Sequence, residues 1–452
     1  MPDSRRSARH HSAAGPGPRG RGDAPPDRLS TWLGRSRLVH LLVLALPILA
    51  AIAWTRGLTQ PFPGLQAGDE QLHWAVVRAV AERWPLPLLS GYATWSGPLV
   101  YWLVASLSLP CGGSLVAARL AVAGLSWGTC ALAYTILRDR LGARPADALA
   151  LALLLAVSPF FLGQSLLVLT DNPTWFFVVL GLERLLAYTA RPALWRFAAF
   201  AACLAAASLM RHISVWLLLP GLVALLSVPA PRARRLAALA LLALSVTPLA
   251  ALLVRWGGPL PPVPGGAPAA LPLAAGYRLR NLLLTAGVAG WYALFLLPSA
   301  EVRDWWRRAT TDRRWVLAPA AAGAASLAAL AAGALGVVTS YLGLVSRLPV
   351  PLVRGSGLAW WVLVPLGAAV VTALVATRPA EAKDRVLVAA LLGLLVSAAA
   401  NPHWYQRYVD APLLLLFACV AVTAPVALTR LDRERWALAF VVAAGAYILL
   451  QV

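Results

Sequence analysis

From residue 38 onward the chain alternates long apolar runs with short polar turns. A helix needs about 20 apolar residues to cross a ~30 Å hydrocarbon core. The pattern predicts thirteen crossings, near 38–54, 115–137, 146–163, 173–189, 194–210, 213–228, 236–254, 281–298, 315–338, 358–376, 386–400, 411–428 and 436–452. The stretch 98–109 stands apart, because it starts at Pro98 and stops at Pro110-Cys111-Gly112-Gly113. A helix of its length would reach only about 18 Å. If it crossed, the Arg-rich turns at 138–144, 232–235 and 303–314 would face outward. If it lies flat on the outer surface, they face the cytoplasm, and the bias of Lys and Arg toward cytoplasmic loops favours the flat placement.

The expected architecture is an all-α polytopic membrane protein with about thirteen transmembrane helices and interfacial helices in its first outer loop. Residues 1–37 are rich in Arg, Pro, Gly and Ser, too poor in apolar side chains to offset the entropy of ordering, and predict a disordered basic cytoplasmic tail. The basic flank before 38–54 reads as an uncleaved signal anchor. Residues 38–452 form one transmembrane domain, with 55–114 as its first extracytoplasmic loop.

Composition narrows the class. The 452 residues are 60% hydrophobic and 13% charged, with mean hydropathy +0.71, more apolar surface than one soluble core hides. The formal charge of +21 would suit nucleic acid if it were gathered on a soluble face. It is spread over short loops instead, so membrane lipids are the expected partner and nucleic acid is not. Nineteen Trp suit the headgroup level. Lys383 is the sole Lys, and Arg and Ala richness points to a GC-rich, bacterial genome. The four Cys form no disulfide or zinc pattern.

This topology puts the unusual polar residues on the outer face. The first outer loop holds Asp69, Glu70 and His73; the second holds Thr170-Asp171-Asn172-Pro173; another turn holds Arg211-His212; the last but one holds His403, Gln406, Arg407 and Tyr408. Gly68-Asp69-Glu70-Gln71-Leu72-His73 resembles the acidic first-loop motif of the GT-C integral-membrane glycosyltransferases, whose sugar donors are polyprenyl phosphates. Leu169-Thr170-Asp171 before Trp175-Phe176-Phe177 resembles their second outer acidic site. Together with Arg211-His212-Ile213-Ser214-Val215-Trp216 and Gln406-Arg407-Tyr408, the set is most similar to the dolichyl-phosphate-glucose alpha-1,2-glucosyltransferases that add the terminal glucose of the N-glycan precursor. His212 departs from that pattern, standing where those enzymes carry Gln.

The resemblance implies transfer of a hexose from a polyprenyl-phosphate sugar to a lipid-linked or glycan acceptor outside the bacterial inner membrane, with inversion at the sugar carbon. Chemistry assigns the roles. An acceptor hydroxyl needs a carboxylate base, for which Asp69 is the choice. A leaving phosphate gains charge, which Arg stabilises; Arg407 is first, Arg211 second, with Arg347 or Arg354 in reserve. Asp171 positions the acceptor or shares a divalent cation, Mg or Mn, with Glu70, whose role is supporting. His73, His212, His403, Gln406 and Tyr408 complete a candidate substrate-binding set. Plainer readings of the same residues are a solvated acidic pair, a helix cap at Asp171 and an interfacial Arg407 within an aromatic belt. The alternative activity is transport or flipping of a lipid-linked sugar, although acids at an outer surface without a repeated half differ from the midplane sites of transporters.

Overall fold

The computed structural model describes residues 36–55, 58–59, 65–92, 94, 96–262, 278–335, 352–353, 356–377, 381–401, 406–423 and 429–451. The tail expected over 1–37 falls outside these residues apart from its last two. His403, Arg347 and Arg354 also lie outside them.

The described chain is almost wholly helical. It begins with α1 (Arg37–Trp54), α2 (Leu65–Ala81), α3 (Pro98–Ser108) and α4 (Leu115–Thr135). Next come α5 (Pro145–Val157), α6 (Pro159–Gln164), α7 (Asp171–Ala190), α8 (Leu194–Met210), α9 (Leu218–Ser227) and α10 (Arg232–Trp256). The second half contains α11 (Leu279–Leu296), α12 (Ser299–Thr311), α13 (Arg314–Ala331), α14 (Leu358–Thr377), α15 (Ala382–Ala400), α16 (Asp410–Thr423) and α17 (Arg430–Gln451). One two-residue antiparallel pairing, Leu352–Val353 with Ser356–Gly357, precedes α14.

Among the described residues, five helices are long and apolar enough to cross a membrane: α1, α4 with a π-helical extension to Arg140, α10, α11 and α14. Six shorter apolar helical segments accompany them. The chain is a polytopic integral membrane protein, and several predicted spans differ in detail. The run 146–163 is broken into α5 and α6, because Pro159 supplies no amide hydrogen and Ser158 has the extended ψ of 127° that a residue before proline prefers. The run 213–228 opens as a 3-10 turn, His212–Leu217, before α9. The run 315–338 stops at Ala331, two residues before Gly333, whose φ of +83° suits only glycine well. Pro173 is the third residue of α7 rather than its first, still within the turn whose amides lack helical partners.

The stretch 98–109 forms the short helix α3, which packs on α2, α4 and α8. Val100, Tyr101, Val104 and Ala105 bury one of its faces. The main core gathers α5, α7, α8, α11 and α14–α16. The tightest contact there joins α11 to α14, where a side chain on Gly290 or Gly367 would collide with the facing backbone of Leu363 or Ala286. Small residues that let helices approach are the usual glue where lipid removes the hydrophobic drive between them.

Candidate functional site

Asp69 and Glu70 are neighbours on α2, and successive helical residues point about 100° apart. That angle sends the two acids to different partners. Asp69 Oδ2 accepts a hydrogen bond from Arg407 Nη2 at 2.8 Å, with 43% of the Asp69 side chain still exposed. His73, four residues later, shares the Asp69 face.

Glu70 is buried. Its Oε1 accepts from Arg119 Nε at 2.8 Å and from the Val168 amide at 2.9 Å, and its Oε2 accepts from Arg119 Nη2 at 2.6 Å. Arg119 also donates to the Leu58 carbonyl. Glu70 therefore ties α2 to α4 and to the segment leading into Asp171.

Asp171 begins α7, and Arg211 follows the last residue of α8. Both are buried and form an ion pair. The guanidinium carbons of Arg211 and Arg407 lie 4.2 and 5.3 Å from the centroid of the Tyr408 ring, within cation–π distance in both cases. Burial opposes ionisation of Tyr408, but the charges and hydrogen bonds of the two arginines outweigh it and hold the phenol below its ordinary value. Four segments far apart in sequence thus form one chain of contacts, Asp69–Arg407–Tyr408–Arg211–Asp171.

Two sets of contacts fix this geometry. Gly97 donates its amide to the Met210 carbonyl at 2.9 Å, next to Arg211. A side chain at Gly97 would run into the Leu209 carbonyl, so glycine lets the first outer loop close on the end of α8. On the other side, Asp410 accepts hydrogen bonds from Ser158, from the Tyr292 hydroxyl at 2.5 Å and from Gln406 Nε2 at 3.3 Å. These bonds anchor the 3-10 turn Gln406–Tyr408 that carries Arg407. Gln406 faces Asp410 in this arrangement. His212 sits against the Trp256 ring, with centroids 5.7 Å apart.

His73 Nδ1 and the Tyr101 hydroxyl are 2.7 Å apart, and Thr94 lies 2.7 Å from the same hydroxyl. Burial first, then the positive charges of Arg211 and Arg407, lower the His73 pKa to about 4 against the opposing pull of Asp69. The ring is neutral at neutral pH and can exchange one hydrogen bond with Tyr101. The depressed value means that the unfolded chain binds this proton more readily than the folded one. The His73 contribution to stability is therefore complete above about pH 6.5 and declines as pH falls toward about 4. We expect His73→Gln to flatten that part of the stability profile, measured as thermal unfolding in detergent between those two pH values; an unchanged slope would contradict the neutral assignment.

Among the described residues no group of three or more His, Cys, Asp and Glu side chains is placed to hold a metal ion. Glu70 faces Arg119 and Asp171 faces Arg211. Beside the Gly97–Met210 contact lies an apolar groove of about 590 Å³, lined by Pro85, Leu89, Trp102, Leu209, Leu252 and Arg255.

Sequence reasoning passed over Tyr101, Arg119 and Asp410. Arg119 did carry a signal, since an arginine inside an apolar run needs a polar partner. Asp410 carried a similar one as an acid opening an apolar helix.

No protein-family model matches the chain, and no curated protein matches it. Two solved structures are similar to it. One is the S. cerevisiae protein O-mannosyltransferase Pmt1-Pmt2 complex bound to the sugar donor, 21% identical over 51% of this chain and 35% of that chain, with a TM-score of 0.39. The other is ArnT from Cupriavidus metallidurans in the apo state, 15% identical over 86% of this chain and 77% of that chain, also with a TM-score of 0.39. The chain thus spans about a third of the length of the O-mannosyltransferase chain that it matches.

Proposed function

We propose that this chain is an inverting GT-C-type glycosyltransferase that moves a hexose from a polyprenyl-phosphate donor to a lipid-linked or glycan acceptor at the extracytoplasmic face of a bacterial inner membrane. The observation that carries the reading is the Asp69–Arg407 pair, a partly exposed carboxylate on a guanidinium, continued through Tyr408 to the Arg211–Asp171 pair. Transfer needs these two functions adjacent, a base for the acceptor and a cation for the leaving phosphate.

In this reading the donor phosphodiester binds Arg407 and competes with Asp69 for its guanidinium, while Arg211 contacts the same Tyr408 ring. The freed Asp69 carboxylate takes the proton of the acceptor hydroxyl. The acceptor oxygen forms a bond to the anomeric carbon, and the bond from that carbon to phosphate oxygen breaks. The electron pair leaves with the polyprenyl phosphate, whose extra negative charge the arginine stabilises. One displacement suffices, so no covalent sugar-enzyme intermediate is formed. Asp171 holds Arg211 in place, and the apolar groove beside Gly97 receives isoprenoid chain.

The test is sugar transfer by the purified protein in detergent from radiolabelled polyprenyl-phosphate hexoses. Arg407→Gln is expected to raise the donor KM by about tenfold or more, the usual loss when a charge-assisted hydrogen bond to phosphate is removed, and Arg407→Lys is expected to recover part of it. Absence of transfer from every lipid-phosphate sugar, in a preparation that moves such lipids across a bilayer, would replace this reading with the transport alternative.

A further inference from the structure

The ends of α7 and α8 farthest from the candidate site carry an unusual surface. Asp171 and Arg211 lie at one end of these helices, and the turn 191–193 that joins them lies at the other, about 30 Å away for a helix of this length. Arg191 and Arg196 flank this turn, and Arg232, Arg234 and Arg235 open α10 beside it. Arg234 Nη1 donates to the Pro192 carbonyl at 3.4 Å, which brings the two segments together.

No Asp or Glu occurs between Arg184 and Ala300. The nearest acid upstream, Glu183, is already paired with Arg140 and Arg184. Among the described residues, none of the five arginines takes part in an ion pair. The arrangement is nonetheless ordered: Arg196 Nη1 donates to the Ala187 and Arg191 carbonyls, each at 2.9 Å, capping the end of α7. Its guanidinium lies 5.2 Å from the ring centroid of Trp195, a side chain left 59% exposed. Leu194 and Leu236 are exposed beside the arginines.

We propose that this surface is a binding site for the headgroups of anionic phospholipids, in the leaflet opposite the candidate active site. Five uncompensated arginines supply the charge for lipid phosphate. Trp195 suits the headgroup level, and the exposed leucines meet the acyl chains below it. A soluble acidic partner would require no such apolar border. Basic pockets between membrane helices bind acidic headgroups by the same forces. The proposal does not depend on sugar transfer, because none of its residues touches the site built around Asp69 and Arg407.

The experiment uses the full chain, delipidated in detergent and titrated with phosphatidylglycerol or phosphatidylcholine, with bound lipid counted by native mass spectrometry. The paired variant R232Q/R235Q is chosen because both side chains are exposed and neither makes the hydrogen bonds that order the turn. The wild type is expected to retain phosphatidylglycerol in preference to phosphatidylcholine. R232Q/R235Q should weaken that retention by roughly tenfold, since each surface arginine contributes to anionic-lipid attraction, and R232K/R235K should keep it. Equal retention of both lipids by the wild type, or an undiminished preference in R232Q/R235Q, would overturn the proposal. So would displacement of phosphatidylglycerol by millimolar inorganic phosphate, which would make the site one for a free anion.

Discussion

Asp69→Asn is expected to lower kcat for sugar transfer by about 10²–10⁴, the range for loss of a general base, while donor binding stays the same or tightens. The second half of that result is the more diagnostic. In the resting site Arg407 is held by Asp69 at 2.8 Å, so an arriving phosphate competes with a carboxylate for the same guanidinium. Asparagine keeps the shape of the side chain but removes the competing charge. Stability should change little, because a partly exposed ion pair contributes only about 0–1 kcal/mol. The measurements are single-turnover transfer and donor binding on the same preparation. A wild-type rate for Asp69→Asn would remove Asp69 from the base role, and a large loss of donor binding would mean that Asp69 contacts the donor directly.

The pairing also accounts for the order of events in the proposed cycle. Held by Arg407, Asp69 is released when a phosphate takes its place, which links base activation to donor binding through one shared hydrogen-bond donor. Tyr408 contacts both arginines, its phenol held below its ordinary value by their charges even though burial acts the other way.

Much of this site was legible in the sequence, for a physical reason. Polar residues at the ends of apolar helices are few, so Asp69, Asp171, Arg211 and Arg407 stood out, and the structure brings all four together. What could not be read was which way adjacent side chains point. Asp69 and Glu70 look equivalent as a pair of letters, and only the helical angle at α2 separates a carboxylate facing Arg407 from one facing Arg119. The supporting contacts were hidden because they involve residues ordinary for an apolar run: Tyr101 under His73, and Tyr292 and Ser158 under Asp410. The helical character followed from the apolar periodicity, whereas the break at Ser158–Pro159 shows how a run of sufficient length need not be one helix.

The largest stability effect is expected at the buried Glu70–Arg119 pair. Arg119→Met leaves the Glu70 carboxylate buried beside the Val168 amide with no cation, and breaking a buried pair in this way costs about 3–5 kcal/mol. The double variant E70Q/R119M removes the stranded charge while its glutamine oxygen still accepts from Val168, so it should recover most of the lost thermal stability. Unfolding temperature in detergent measures both. The double variant also separates the two acids functionally, because neither of its positions touches Arg407. If Glu70 only holds α2 against α4 and the approach to Asp171, E70Q/R119M should fold and retain far more transfer activity than Asp69→Asn. If it folds and is as inactive as Asp69→Asn, the Glu70 carboxylate takes part in the reaction, and the assignment drawn from its contacts with Arg119 and Val168 fails.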